Sequence, residues 1–251
     1  WYFTPPPFPK TPMNKAPATT RVDYGPDEPA MQAYFREGEQ RALSLPNRGP
    51  VHFTKDGRLH PDILASFSHY GFYVLEGLIE LAELKDIETD VLDILDRLPE
   101  KKGALMDTQG RPALAVDCTG PTLFWSKPLG DPFGGTELAG GRHPVKMLEP
   151  TPPADAPEEL VYLILGALQF SEAMLRLYGH PQLLAIAASI HGDDFVPFNE
   201  AIFIKKPGLG ASVAWHQDGV THWDSPSWNQ EIHGFTFQAM LYGCTAANAV
   251  W

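Results

Sequence analysis

The sequence is poor in cysteine, with two residues, Cys118 and Cys244, in 251. Two thiols imply no disulfide framework, and neither stands in a Cys-x-x-Cys metal spacing. A reducing, cytoplasmic setting fits that usage. Long apolar runs are also missing. The longest, Leu160 to Leu168, is interrupted by Gly166 and falls short of the ~20 residues a membrane helix needs. It reads as a buried helix. No basic stretch followed by an apolar one opens the chain, so no signal peptide is expected, although the first residue is Trp1 and not Met. Cations are outnumbered: 19 Lys and Arg stand against 31 Asp and Glu, a formal net charge of -12. Nucleic acid and anionic membrane surfaces both call for clustered Lys and Arg, so neither is an expected partner. A small-molecule substrate remains, and oligomeric state is not legible.

What is abundant is apolar and aromatic residues, 43% and 11% of the chain, enough for a sizeable core. Proline is concentrated early, at Pro5, Pro6, Pro7, Pro9, Pro12 and Pro17. Because proline fixes φ and lacks an N–H, residues 1–60 are expected as an extended arm with no continuous helix. The arm is either docked through Trp1, Tyr2, Phe3 and Phe8 or disordered. Residues 61–251 are expected to form one domain. Pro61 to Tyr70 reads as a helix, with proline in its first turn and Gly71 after its end. Phe72 to Leu75 reads as a strand. Leu81, Leu84, Ile87, Val91, Ile94 or Leu95, and Leu98 recur at helical steps, opposite an acidic, solvated face. Residues 100–155, dense in Gly and Pro, read as long irregular structure of the kind that forms lids and binding loops. Helices are expected over Pro157 to Tyr178 and Pro181 to Ile190. Strands are expected over Glu200 to Lys205, Val213 to Asp218 and Phe235 to Tyr242, the last with alternating apolar residues. Helices followed by strands give an α+β layout.

The chemically informative segment is Trp215-His216-Gln217-Asp218-Gly219. Residues two apart on a strand share a face, so His216 and Asp218 would project together. An imidazole and a carboxylate placed in this way can occupy two adjacent positions of a 2-His-1-carboxylate triad, which leaves positions for an oxo-acid and O2. A bare His-x-Asp is common by chance, and its bland reading is a surface pair.

The context narrows the reading. Phe203-Ile204-Lys205-Lys206-Pro207-Gly208, a short spacer and then the His216 motif resemble the phytanoyl-CoA dioxygenase family. Phe67 to Leu75 looks like that family's opening element. Tyr178 to Asp194 looks like its lead-in to the core strands, and Thr236 to Trp251 resembles the strand and turn after the metal motif. The resemblance runs from about residue 63 onward and omits the proline-rich arm. It implies a double-stranded β-helix (jelly-roll) core with N-terminal helices packed on it. It also implies Fe(II) and 2-oxoglutarate, with O2 as oxidant, and the hydroxylation of an unactivated C–H. His216 and Asp218 match the first two iron ligands. An Asp at 218 favours hydroxylation over halogenation, which uses a small residue there. Gln238 falls where the family sets a residue against the oxo-acid. Phe203 and Lys205, on one face of the preceding strand, are expected to line the same pocket, and Trp223 and Asp224 to meet substrate.

The pattern is incomplete. The family's distal His and the Arg that pairs with 2-oxoglutarate have no counterpart after Asp218, where no Arg occurs. His222 is too close to Asp218 to arrive from a facing strand, His233 reads as a loop residue, and His191 as a helix-end cap. The expectation is a jelly roll incomplete at its C-terminus, with the distal ligands supplied by a longer gene product. A natural truncation and strands from another chain are the alternatives. Two further functional classes stand beside the dioxygenase: a non-catalytic jelly-roll binding or scaffold protein that has lost the triad, and a zinc hydrolase, for which no ligand set is evident.

Overall fold

The computed structural model describes residues 22–135, 143–216, 234–242 and 246. Asp218, Trp223, Asp224 and the early proline cluster lie outside them. In chain order the elements are α1 (Glu28–Ser44), β1 (Arg48–Pro50), α2 (Pro61–Tyr70), β2 (Val74–Glu76), α3 (Leu81–Asp96), β3 (Leu123–Ser126), β4 (Leu160–Leu165), α4 (Glu172–Tyr178), α5 (Pro181–His191) and β5 (Ala201–Phe203). The fold is mixed α+β with small sheets, and the described strands close no barrel. No helix among the described residues is long and apolar enough to cross a membrane.

Local chemistry sets the helix bounds. At α2 the His60 ring accepts from the Asp62 N–H at 3.3 Å, Pro61 opens the helix, and Gly71 closes it in the left-handed region at φ 79°. α3 begins with a capping box in which Glu80 and Glu83 satisfy each other's backbone N–H groups. α5 repeats the α2 device with His180 and Pro181.

The structure departs from three expectations. First, the arm carries a helix. No proline occurs between Pro29 and Pro46, and α1 occupies that interval. Beyond α1, β1 pairs in parallel with β2, and Val51, Phe53 and Leu59 join the α2–α5 core through Ile63, Leu183 and Ile186.

Second, the apolar run of residues 160–168 is not a helix. It contains β4, the middle strand of an antiparallel sheet ordered β3-β4-β5, and α4 starts only at Glu172. A strand covered on both faces has no polar alternation to give it away. β4 carries a bulge: Phe124 pairs with Leu163 and Trp125 with Val161, which leaves Tyr162 as the extra residue. The bulge resets the alternation. Val161 and Ile164 both join the cluster with Ile94 of α3, while Tyr162 and Leu163 pack with Ala211, Phe124 and Phe133 on the other side.

Third, residues 213–216 and 235–242 form no ladder among the described residues. Their anchors lie elsewhere. Ser212 donates its N–H to the Gly130 carbonyl at 2.8 Å. Phe235 packs against Phe67 and His191, and Leu241 packs on the Ile87–Val91 stripe of α3. The expected strand at residues 200–205 is present as β5, and the strand expected at residues 72–75 is β2.

Candidate functional site

β5 leads directly into the segment that carries His216. Ile202 and Ile204 pack into the α3–β4 core, so Phe203 and Lys205 fall on the opposite, exposed side, as their spacing predicts. Phe203 is 56% exposed. Lys205 is an exposed residue, yet its ammonium bends inward to donate to the Ala211 carbonyl. Burial lowers the pKa of that ammonium, and the charge of Asp131 opposes the shift. Lys205 therefore closes the turn over residues 205–211, beyond which the chain reaches His216.

The His216 ring is exposed, but its orientation is constrained. Its Nδ1 lies 2.8 Å from the Ala214 carbonyl oxygen, and Ala214 is buried. A carbonyl only accepts, so Nδ1 carries the proton and donates. Metal-binding histidines commonly have this arrangement, in which a backbone carbonyl holds the non-ligating nitrogen.

Against the His216 ring lies a histidine that the sequence reading missed. The His143 ring stacks on His216 with centroids 4.2 Å apart and planes 11° from parallel. His143 is buried, and its ring also meets Phe133 at 5.2 Å, which in turn packs edge-on to Tyr162 at 5.9 Å. Burial pushes the Tyr162 phenol up to about 12, so the phenol stays protonated. No sequence signal marked His143, which sits in the Gly- and Pro-rich stretch without periodicity.

The residues around His143 are organised by two carboxylates. Asp131, buried, accepts from the N–H groups of Phe133 and Gly134 through Oδ1 and of Met147 through Oδ2, at 3.3, 2.8 and 2.8 Å. Glu149 accepts from the Asp131 N–H at 2.8 Å, from Lys127 at 2.6 Å and from Lys146 at 2.8 Å. Burial alone would raise the Glu149 pKa, but these three donors outweigh it and hold the carboxyl at about 2. Two backbone bonds join this loop to the His216 segment: Leu129 N–H to Leu209 O at 2.9 Å, and Ser212 N–H to Gly130 O at 2.8 Å.

The other predicted site residues are not gathered here. Asp218, Trp223 and Asp224 lie outside the described residues. Gln238 is exposed, in a segment whose ring contacts lead to α2 and to the end of α5. His191 is the last residue of α5, and its ring stacks on Phe235. Among the described residues no three His, Cys, Asp or Glu side chains converge as a metal requires. His216 by itself fits as one ligand, its ring oriented through Nδ1. His143 does not add a second donor in this arrangement, because the lone pairs of parallel stacked rings do not meet on one ion. Compared with family models, with curated proteins and with solved structures, the chain matches none of them.

Proposed function

We propose that this chain carries the His216–Asp218 part of a mononuclear Fe(II) centre, in a 2-oxoglutarate-dependent dioxygenase that hydroxylates an unactivated C–H of a small molecule. The observation that carries the reading is the His216 ring, whose Nδ1 is committed to the Ala214 carbonyl, two residues before a carboxylate in the sequence. The resemblance to the phytanoyl-CoA dioxygenase family over residues 203–219 gives that arrangement its chemical meaning. When bound, the iron supplies O2 activation coupled to decarboxylation of the oxo-acid. The chain's own residues do the rest. His216 and Asp218 would hold the metal, Phe203 and Lys205 would face the cosubstrate, Trp223 and Asp224 would meet the substrate, and Gln238 would reach the oxo-acid only if its segment, which leads to α2 and the end of α5, also borders the His216 site. The finer fold reading belongs to the same proposal. We read the antiparallel β3-β4-β5 sheet, on which α3 and α4 pack, as one part of a jelly-roll core.

The test is spectroscopic. Mixed anaerobically with Fe(II) and 2-oxoglutarate, the protein is expected to develop the weak visible metal-to-ligand charge-transfer band, and on admission of air to form succinate. His216→Ala is expected to abolish both. A protein that gives neither signal is instead a non-catalytic binding or scaffold relative.

A further inference from the structure

One turn beside β3 holds a backbone that its sequence does not favour. Lys127-Pro128-Leu129-Gly130 closes through the Gly130 N–H, which donates to the Lys127 carbonyl at 3.1 Å. Proline stands at the second position, and at the third Leu129 adopts φ 53°, in the left-handed region. A turn with proline second and a positive φ third normally places glycine or asparagine there. We infer that this turn is a strained clasp from which residues 206–214 undock as a unit, while the sheet behind them stays closed. The inference does not depend on a metal at His216.

Backbone strain of this kind persists only where the surroundings hold it. Two bonds from residues 206–214 do so. The Leu129 N–H donates to the Leu209 carbonyl at 2.9 Å, and the Gly130 carbonyl accepts from the Ser212 N–H at 2.8 Å. Without them Leu129 returns to the right-handed or extended backbone that a residue with a Cβ prefers. Docking and strain are therefore coupled: the bonds keep Leu129 left-handed, and their loss lets it relax. Glycine occupies the next position instead, where an added Cβ would lie 2.6 Å from the Lys127 Cγ. The Leu129 side chain is itself buried. Burial thus retains a leucine where the backbone calls for glycine.

The docked stretch is lightly held and internally tied. Its buried residues are Ala211 and Ala214, whose side chains remove little apolar area from water. The Lys206 carbonyl accepts from the Leu209 and Gly210 N–H groups at 3.1 and 2.8 Å, so the turn moves as one piece. The Lys205 bond to the Ala211 carbonyl lies within the same piece and travels with it. Just upstream the chain is fixed: the Ile204 N–H donates to the Tyr162 carbonyl at 2.8 Å, and the Ile204 side chain joins the core with Ile94 and Ile164. Ala211 packs with Tyr162 and Leu163, beside Phe124. Undocking therefore uncovers an apolar face of the sheet without breaking the sheet.

Native-state amide exchange of the full chain reads this motion residue by residue. The Leu129 and Ser212 amides are expected to exchange together, with protection at least about tenfold below that of the Ile204 amide and of the Leu165 amide, which donates to the Thr122 carbonyl. Equal protection at all four positions would overturn the independent motion. Leu129→Gly and Leu129→Ala then separate strain from burial. Both remove the leucine side chain, and only glycine takes the left-handed backbone without a steric cost. Ser212 is expected to exchange about tenfold faster in Leu129→Ala than in Leu129→Gly, the factor that matches the left-handed penalty on a residue with a Cβ. Equal rates in the two variants, or faster exchange in Leu129→Gly, would mean that side-chain burial governs the clasp and strain does not. If either variant fails to fold, the four amides of the parent protein still decide whether residues 206–214 open by themselves.

Discussion

Glu149 sets the acid sensitivity of the loop that bears His143. Its carboxyl is held at about 2 against an ordinary 4.5: burial raises it, while the Asp131 N–H, Lys127 and Lys146 lower it further. A carboxylate with a depressed folded pKa stabilises the protein fully above its ordinary value, and that stabilisation is lost as pH falls from about 4.5 towards about 2. Both lysines are largely exposed, so solvent screening discounts the effect to about 1–2 kcal/mol. Glu149→Gln keeps an acceptor for Asp131 but loses the charge. It is expected to cost that amount in urea denaturation at neutral pH and almost nothing near pH 2. An equal cost at both would show that charge is not the cause. Gly134→Ala tests the same loop sterically and is expected to cost ~1–3 kcal/mol in the same assay, because the new methyl displaces the Asp131 carboxylate. Legibility divides sharply among these residues. The His216–Asp218 pair was visible as a motif because its two-residue spacing and its flanking residues are local in the sequence. His143 was not, because its partner is brought to it by tertiary hydrogen bonds at Leu209 and Ser212 that leave no local pattern.

At the scale of elements, what could be read was what local chemistry decides. α2 and α5 were legible from a proline in the first turn and a glycine after the end, and α3 from its apolar stripe. β4 was not, since burial on both faces erases periodicity and its bulge at Tyr162 shifts what remains. α1 was hidden by a proline cluster that belongs to earlier residues. β4 is also where the core is least tolerant. Ile164 is fully buried between the sheet and α3, and Ile164→Ala is expected to cost about 2–5 kcal/mol by chemical denaturation. A cost well below that range would show that Ile164 is not part of the core. The junction between α3 and α4 depends on Asp90, whose carboxylate accepts from Ser171 Oγ at 2.7 Å and from the Ala173 N–H at 3.1 Å. Ser171 in turn caps α4 by accepting from Met174. Asp90→Ala is therefore expected to cost about 1–3 kcal/mol and to speed amide exchange in the first turn of α4 before that in α3.

For the molecule as a whole, the formal charge of -12 acts on the two ligands of the proposed centre with opposite sign. A divalent cation is drawn towards an acidic protein, and a dicarboxylate is repelled by it. Salt screens both effects over a Debye length of about 10 Å at 0.1 M. Raising ionic strength from low to physiological is therefore expected to weaken Co(II) or Fe(II) binding. The same change should leave 2-oxoglutarate affinity unchanged or improve it, as measured by titration of the metal-loaded protein. Local groups can override the global field only where a cation faces the oxo-acid. Lys205 is the described candidate, but its ammonium already donates to Ala211 and sits in the field of Asp131, so its charge is partly spent inside the turn. A steep loss of 2-oxoglutarate affinity with salt would mean that a cation dominates the cosubstrate pocket. If Lys205→Met removed that slope, Lys205 would be the cation, and its bond to Ala211 would be one that the oxo-acid displaces.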